Sequence, residues 1–275
     1  MNTKLLFIQA LSPIHAGTGQ GVGVIDNPIA REKSTNIPFI PATTVKGVLR
    51  DACDDENDRK NIFGSARDAI ELSMGAATFT DARLLLLPVR SLKGVFAWVT
   101  SPLLLKRLIR DAGEKIGDVP SVGADDCLVS SASELKLDNN KVVLEDLDLN
   151  GAPNADVDKW ADWLADSLYG KESVWHDEMK KHLCIISDDN LAFLLETATE
   201  ITTRIALEKD TKTVKDGALW YEEALPVETV LVSMVIAKKE NVLTKLTELT
   251  KNTLQFGGNA TVGRGLCQAT LLGGK

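Results

Sequence analysis

Residues 4–50 read KLLFIQALSPIHAGTGQGVGVIDNPIAREKSTNIPFIPATTVKGVLR, and they contain three different structural patterns. The first eight residues, 4–11, are apolar and typical of a strand. From Ser12 to Pro41 glycine and proline recur so often that a long helix is excluded. This predicts an irregular loop of roughly 30 residues, and loops of that length in compact domains are usually functional or disordered. The loop contains apolar residues that could anchor it, and this favours a functional loop over a disordered one.

A helix is predicted directly after the loop, over residues 44–53, with Thr43 as its N-cap. Lys46 and Arg50 are one helical turn apart, so both side chains emerge on the same side. Two cations with this spacing could hold consecutive phosphates. Taken alone, such a pair lies more often on a solvated helix face. Arg31 and Lys33, at the end of the preceding loop, add to the positive charge expected in this region.

The rest of the chain alternates strand and helix patterns, which predicts an α+β fold with two βαββ-like halves in a ferredoxin-like arrangement. A central segment, 114–183, has the character of an inserted helical lid, so that the core comprises 1–113 and 184–275. A long hairpin over about 200–225 is expected to project into solvent. The other predicted elements are strands at 76–83 and 94–100, a helix at 102–112, a strand at 141–149, two helices within 156–183 and a helix at 240–251.

The composition of the chain limits the classes of function that are expected for it. The chain has 275 residues with 31 Lys plus Arg and 39 Asp plus Glu, a net charge of -8. This argues against a generic coat for nucleic acid, although a local basic track remains compatible with it. No apolar run reaches the ~18 residues of a membrane span, so we expect no membrane partner. Four scattered cysteines without a CxxC pair predict reduced, partly buried thiols and a cytoplasmic location.

Two further stretches carry candidate chemistry. Residues 256–265 read FGGNATVGRG, which matches neither a dinucleotide-binding nor a P-loop pattern. This glycine-rich segment is either a tight turn or a loop that touches a nucleic-acid backbone, with Arg264 as a phosphate partner. Residues 220–223, WYEE, could stack on bases or hold a cation, and packing in the core is equally economical.

His15 and Asp26 lie within the long loop. Asp26 could be a general base, a metal ligand or a turn former, and the turn is the more common role for an Asp-Asn-Pro sequence. A lone histidine is also more often structural. RNA cleavage through the 2′-OH needs a base, an acid and stabilisation of the phosphorane, which a carboxylate, an imidazole and a cation or metal can supply.

These signals occur together and in one order, and in that combination the chain resembles the RAMP superfamily of antiviral CRISPR systems. The resemblance is carried by LSPIHAGTGQGVGVIDNPIAREK at 11–33, IPFIPATTVKGVLR at 37–50, LWYEEALP at 219–226 and FGGNATVGRG at 256–265. Within the superfamily the chain is most similar to the backbone subunit of the type III-B (Cmr) effector complex. The family's Gly-Ser-Ser before the Lys-Gly is replaced here by Ala42-Thr43-Thr44.

The resemblance implies a modified RRM-like ferredoxin fold with a helical lid and a protruding β-hairpin thumb. It implies a stack of copies along a guide RNA (crRNA), other Cmr subunits as partners, and cleavage of target RNA with a divalent metal, Mg or Mn. Asp26 matches the family's catalytic aspartate and would be its metal ligand, His15 matches the loop histidine, and Tyr221, Glu222 and Glu223 match a region near the cleavage site. The predicted RNA-binding set is Arg31, Lys33, Thr43, Thr44, Lys46, Arg50, Gly257, Gly258, Gly263, Arg264 and Gly265.

Three functions therefore compete. The leading hypothesis is a filament subunit with endoribonuclease activity. The second is the same guide-binding scaffold without catalysis, in which Asp26 is only a turn residue. The third is a RAMP-type nuclease that processes guide RNA as a monomer. A small-molecule enzyme is the least favoured, because no nucleotide or metal motif stands on its own.

Overall fold

Strands and helices of a mixed α/β fold alternate through the part of the chain that the computed structural model describes, residues 2–19, 23–66 and 72–272. The strands are β1 (Asn2–Ala10), β2 (Phe39–Ile40), β3 (Ala77–Phe79), β4 (Ala82–Arg90), β5 (Phe96–Thr100), β6 (Asp126–Val129), β7 (Lys141–Leu144), β8 (Leu147–Pro153), β9 (Leu183–Ile186), β10 (Glu200–Leu207), β11 (Val214–Ala224), β12 (Val230–Ala237), β13 (Leu254–Gln255) and β14 (Leu266–Leu271). The helices are α1 (Ala42–Asp51), α2 (Glu56–Phe63), α3 (Pro102–Ala112), α4 (Ala155–Leu168), α5 (Val174–His182), α6 (Asp188–Thr197) and α7 (Glu240–Leu249).

A large mixed sheet organises the molecule, in the order β13-β14-β1-β12-β4-β5-β9-β6-β8-β7, with β2 joined to β4 and β3 to β12. The strand β1 lies between β12 and β14 and is antiparallel to both. Its last six residues are all buried, as is typical of a strand covered on both faces. Because β1 lies inside the sheet, the loop that follows it begins at the sheet's interior rather than at its margin.

Helices cover both faces of the sheet. Alternate side chains of β1 point to opposite faces, so each face presents apolar side chains to the helices that cover it. Leu6 and Ile8 belong to a core cluster that also contains buried side chains of α1, α2 and α7. Leu5 and Phe7 belong to another cluster, with buried side chains of α3 and α4. On these helices the buried apolar residues recur with the period of a helix. The α1 helix is thereby packed beside the loop that leads into it.

The segment 114–183 contributes strands as well as helices. Its strands β6, β7 and β8 extend the sheet beyond β9, and Gly170 separates its two helices as predicted. The single strand predicted at 141–149 is wrong, since the chain turns back at Glu145, whose φ is 47°, to form the hairpin β7–β8. The role of the segment as a lid stays a prediction.

The predicted hairpin is present as β10 and β11, which pair with each other in a sheet separate from the large one. We call residues 200–224 the thumb hairpin. Its apolar side chains on one face are exposed and alternate with half-buried ones, as expected for a ribbon that projects from the body. Only its base, near Glu222, is fully buried.

Two local predictions need correction. The helix α1 begins at Ala42 with Pro41 as N-cap, so Thr43 lies inside the first turn and caps nothing. The N–H of Ala42 instead donates to Asp81 Oδ1 at 2.7 Å, and Asp81 is remote in sequence. The helix α2 was not predicted, although Asp55 caps it by accepting the N–H of Asp58. Residues 20–22 of the predicted loop lie outside the described residues.

The four cysteines are free and buried, which confirms the prediction of reduced thiols. Burial raises the pKa of the Cys267 thiol to about 12, so it is protonated at neutral pH. In the described ranges, no helix has both the length and the apolar composition to cross a membrane.

Candidate catalytic site at the base of the thumb hairpin

The open edge of β11 carries a short segment of the long loop. Asn27 forms a parallel bridge to Glu222. Its N–H donates to the Tyr221 carbonyl at 3.0 Å, and its own carbonyl accepts the N–H of Glu223 at 3.0 Å. The residues around Asn27 therefore act as an added strand at the base of the thumb hairpin. The loop is irregular in sequence but fixed in place here.

Asp26 is exposed and immediately precedes this bridge. Its Oδ2 accepts the backbone N–H of Tyr221 at 2.8 Å. A carboxylate held by one of its two oxygens keeps acceptor capacity on the other. Asp26 is therefore both oriented and accessible, which is what a general base or a metal ligand requires. This contact joins Asp26 to the thumb hairpin and is not a local turn contact, since the two residues are 195 positions apart.

The backbone of β11 also orients His15. Its Nδ1 lies 2.7 Å from the carbonyl oxygen of Glu223. A carbonyl oxygen only accepts, so Nδ1 carries the hydrogen and Nε2 carries the lone pair of the neutral ring. A Cβ on Gly17 would stand 2.7 Å from Nε2. Glycine at this position therefore leaves the reactive nitrogen uncovered.

The structure brings His15 and Asp26 to one edge of β11. Their anchoring groups, on Glu223 and Tyr221, are two residues apart along a strand, a spacing of about 7 Å. The two predicted site residues therefore lie on the same edge of the strand, with Asn27 bonded to it between their anchoring groups.

Glu223 serves the structure of the site. It is 3% exposed, its Oε1 accepts from Arg31 at 2.6 Å and from Thr199 Oγ1 at 3.0 Å, and its Oε2 accepts the N–H of Ile29 at 3.0 Å. A buried carboxylate needs such partners because burial without them is costly. Glu223 therefore holds the loop that carries Asp26, and the geometry assigns it a positioning role.

Glu222 joins the thumb hairpin to the glycine-rich segment. It is 5% exposed, and Asn259 Nδ2 donates to its Oε2 at 2.7 Å. Its Oε1 lies 3.1 Å from Arg204 Nη2 and 3.3 Å from Arg264 Nε. Glu222 also has a positioning role, while Tyr221 contributes its backbone N–H to Asp26 and keeps its side chain exposed.

The glycine-rich segment packs against the backbone of His15. The N–H of Gly258 donates to the His15 carbonyl at 2.9 Å. A Cβ on Gly257, whose φ is +86°, would overlap that carbonyl, so a side chain is excluded there. Thr44 lies close by, and together these residues line an open groove of about 390 Å³. Three of the predicted RNA-binding residues are therefore beside the candidate catalytic pair.

The predicted cations differ in their availability. Arg31 is turned inward, where it also donates to the carbonyls of Asn36 and Leu195. Arg264 is buried among Glu222 and the thumb residues Glu200 and Thr202. This geometry does not support a phosphate contact by either arginine.

Of the other predicted RNA-binding residues, all but the buried Gly265 lie nearer the surface. Arg50 donates to the Gly64 carbonyl at 2.7 Å. Lys33 and Thr43 are exposed, and Lys46 borders a groove beside Met74. Gly263 faces open space, and the Gly265 N–H donates to the Pro13 carbonyl.

Sequence reasoning missed three site residues, Gly17, Arg204 and Asn259. Gly17 belongs to the conspicuous run of glycines, so its presence was visible, but its position over His15 was not. Arg204 and Asn259 are partners of Glu222 from distant parts of the chain. No periodicity or spacing in the sequence carries such contacts.

The family of the chain follows from its similarity to known proteins. A sequence model described as the RAMP superfamily matches residues 7–268. The chain belongs to the RAMP superfamily. The resemblance proposed from the sequence is confirmed.

One relative and two solved structures are similar to this RAMP protein over nearly its whole length. It is 36% identical to a Pyrococcus furiosus protein named CRISPR system Cmr endoribonuclease Cmr4, covering 98% of this chain and 96% of that protein. The crystal structure of oligomeric Cmr4 from Pyrococcus furiosus superposes with a TM-score of 0.77 at 31% identity, covering 98% of both chains. A chain of the type III-B Cmr-beta complex bound to cognate target RNA matches with a TM-score of 0.75 at 19% identity, covering 98% and 97%, which shows a shared fold.

A resident metal would find few ligands in this RAMP protein. Within the described ranges, no three His, Cys, Asp or Glu side chains converge as a metal site. Glu222 and Glu223 are occupied by other partners, which leaves Asp26 as the one available carboxylate of the candidate site. Magnesium is commonly held by one or two carboxylates together with water and substrate phosphates. Asp26 fits a hydrated divalent ion shared with RNA and does not fit a closed protein cage.

Proposed function

We propose that this RAMP protein is a backbone subunit of a type III-B (Cmr) effector complex that binds guide RNA and cleaves the paired target RNA at regular intervals. The observation that carries the proposal is the pairing of an exposed Asp26 with an oriented His15 on one edge of β11. The name of the Pyrococcus relative as an endoribonuclease supports cleavage. Its oligomeric crystal structure supports a stacking subunit over a monomeric processing nuclease.

In the proposed reaction the ribose 2′-OH attacks the adjacent phosphate, and the bond to the 5′-oxygen of the next nucleotide breaks. Nε2 of His15 has the lone pair needed to take a proton, or in its protonated form gives one to the leaving oxygen. Asp26 acts as the partner base or as the ligand of a divalent ion. When bound there, Mg or Mn would neutralise the charge that develops on the phosphate.

The guide RNA would read the target sequence by base pairing. The protein therefore needs contacts to the RNA backbone and few contacts to base edges. Lys33, Lys46 and the amides around Gly258 fit that requirement. We further infer a modified ferredoxin-like core, a lid formed by 114–183 and a thumb hairpin that inserts into the duplex of guide and target. The expected partners are other copies of the chain and other Cmr subunits, in the cytoplasm.

The decisive experiment is Asp26→Asn in a reconstituted complex acting on labelled target RNA. Asparagine keeps the shape and can still accept the Tyr221 N–H, but it lacks the charge. We expect cleavage to fall by about 10²-fold or more while guide binding persists. The exposed Asp54→Asn serves as a matched control and leaves the cleavage rate unchanged.

Full cleavage by the Asp26 variant would remove Asp26 from the mechanism. If the unmodified chain elongates on a guide but cuts no target, the scaffold function is correct. Chelation by EDTA tests the metal separately: cleavage stops and returns with added Mg²⁺ or Mn²⁺. An undiminished rate in EDTA would overturn the metal requirement and leave the other roles intact.

A further inference from the structure

A groove follows the strand β3 away from the candidate catalytic pair. Two adjoining hollows of about 440 and 630 Å³ share Met74, Gly75 and Thr78, so they form one continuous depression. We call it the β3 groove. One end is bordered by Lys46 on α1, and the other by Lys238 and Lys239 after β12. Its β3 wall pairs only with β12 among the described strands.

The described residues that line this groove carry a charge opposite to that of the whole protein. The chain carries a net charge of -8, yet among the described residues that line the groove three are lysines and none is Asp or Glu. Lys238 and Lys239 are exposed. No ion pair in the described part of the chain engages these three ammonium groups. Uncompensated cations concentrated in a depression favour a polyanionic ligand.

Exposed apolar side chains border the groove. Met74, at the junction of the two hollows, is 96% exposed, and Leu72 is 79% exposed. Exposed apolar side chains between separated lysines suit a ligand with phosphates along its length and flat bases between them. A strand from a second copy would satisfy the edge of β3, but it would leave the three cations without partners. The charge therefore favours a nucleic acid.

We propose that the β3 groove binds a single-stranded RNA segment, with phosphates on Lys46, Lys238 and Lys239 and a base against Met74. The identity of the ligand as RNA rests on the proposed function. The groove extends the RNA-binding surface beyond the positions identified from the sequence, because Lys46 is shared and the pair at 238–239 is new.

The test is the affinity of the full chain for a fluorescent single-stranded RNA across a salt series. The double variant Lys238→Ala/Lys239→Ala should bind about 5- to 10-fold more weakly. Its slope of log K against log salt should become less steep by about 1.4, because each lost phosphate contact removes about 0.7 for single strands. The pair Lys93→Ala/Lys171→Ala removes the same charge from exposed positions outside the groove and serves as the matched control.

A second pair of variants tests Met74, whose exposure means that the core is not at risk. Met74→Glu places a negative charge between the lysines and should weaken binding several-fold, whereas Met74→Gln changes it little. Equal affinity and slope in the lysine double variant and its control would overturn the proposal. Loss of oligomers without a change of slope would do the same and assign the groove to a neighbouring copy. If the unmodified chain binds no RNA, the proposed function fails together with the groove.

Discussion

At the scale of single residues, hydrogen bonds to the backbone decide what a side chain can do. His15 and Asp26 are both held by main-chain groups of β11, one through a carbonyl and one through an N–H. These contacts do not consume the atoms needed for chemistry. Glu222 and Glu223 differ, since their carboxylate oxygens are the contact atoms and both are filled. The oxygens of the two glutamates are therefore engaged by groups of the protein itself.

The first prediction concerns Gly17. In Gly17→Ala the new methyl group meets His15 Nε2, so the imidazole ring must rotate and lose its bond to Glu223. We expect target cleavage to fall by about 10-fold or more, within the usual contribution of acid–base catalysis, with RNA binding retained. The measurement is single-turnover cleavage at saturating guide and target.

Gly23→Ala is the matched control, because a Cβ at Gly23 meets nothing within 4 Å. It should cut at the unmodified rate. Equal rates for the variants at Gly17 and Gly23 would show that Nε2 takes no part in the reaction.

At the scale of elements, the base of the thumb hairpin is a junction of three segments. Glu222 on β11 contacts Arg204 on β10 and both Asn259 and Arg264 of the glycine-rich segment. Arg264 reaches further, to Glu200 and Thr202 at the start of β10. The direction in which the thumb hairpin leaves the body therefore depends on a buried ionic network. Residues 256–265 support this network through Asn259 and Arg264.

The prediction at this scale is that Glu222→Ala lowers the free energy of unfolding by about 3 kcal/mol. Removing Glu222 leaves the buried Arg264 with Glu200, 3.5 Å away and half-exposed, as its remaining counter-charge. Urea denaturation gives the stability, and amide hydrogen exchange in β10 and β11 should accelerate. Glu208→Ala, at the exposed tip of the same hairpin, should change neither quantity. Similar losses in the two variants would mean that the network contributes no rigidity.

At the scale of the whole molecule, Glu228 links three parts of the fold. Gln9 on β1 donates to Glu228 Oε2 at 2.6 Å and to the Tyr169 hydroxyl, at the end of α4, at 2.8 Å. Trp98 on β5 donates to the Glu228 carbonyl at 2.9 Å. Burial raises the pKa of the Glu228 carboxyl above its ordinary value, against the lowering effect of the Gln9 hydrogen bond.

Because the pKa of Glu228 is raised in the folded protein, the contribution of this carboxyl group to the free energy of unfolding falls as the pH rises. The contribution is complete below the unfolded pKa of about 4.5 and is lost as the pH rises through the higher folded pKa. In Glu228→Gln the side chain stays neutral and still accepts from Gln9. We therefore expect the variant to equal the unmodified protein at pH 4 and to melt at a higher temperature at pH 8.

The measurement is thermal unfolding across that pH range, with the exposed Glu196→Gln as the control. An equal difference in melting temperature at both pH values would show that the raised pKa has no consequence for folding.

Prediction from sequence succeeded where local pattern decides the structure. The helix at 102–112 was predicted with both ends correct, because Pro102 and Gly113 mark its limits and leucines recur at helical spacing. The strand β1 and the thumb hairpin followed from apolar runs and a charged tip. The prediction failed at the hairpin β7–β8, where Glu145 adopts a positive φ that its residue type does not suggest. At Ala42 the group that accepts the first helical N–H came from Asp81, between β3 and β4.

The sequence by itself determined the RAMP family, the long glycine-rich loop and the identity of Asp26 and His15 as candidates, because residue type and local spacing carry that information. Only the tertiary structure decided which charged groups are free. Asp26 meets Tyr221 across 195 positions and Arg31 meets Glu223 across 192. Whether a charge faces RNA or a buried counter-charge depends on the pairing of distant strands. Burial makes an unpaired charge costly, so the fold had to assign a partner to each arginine and glutamate that it enclosed.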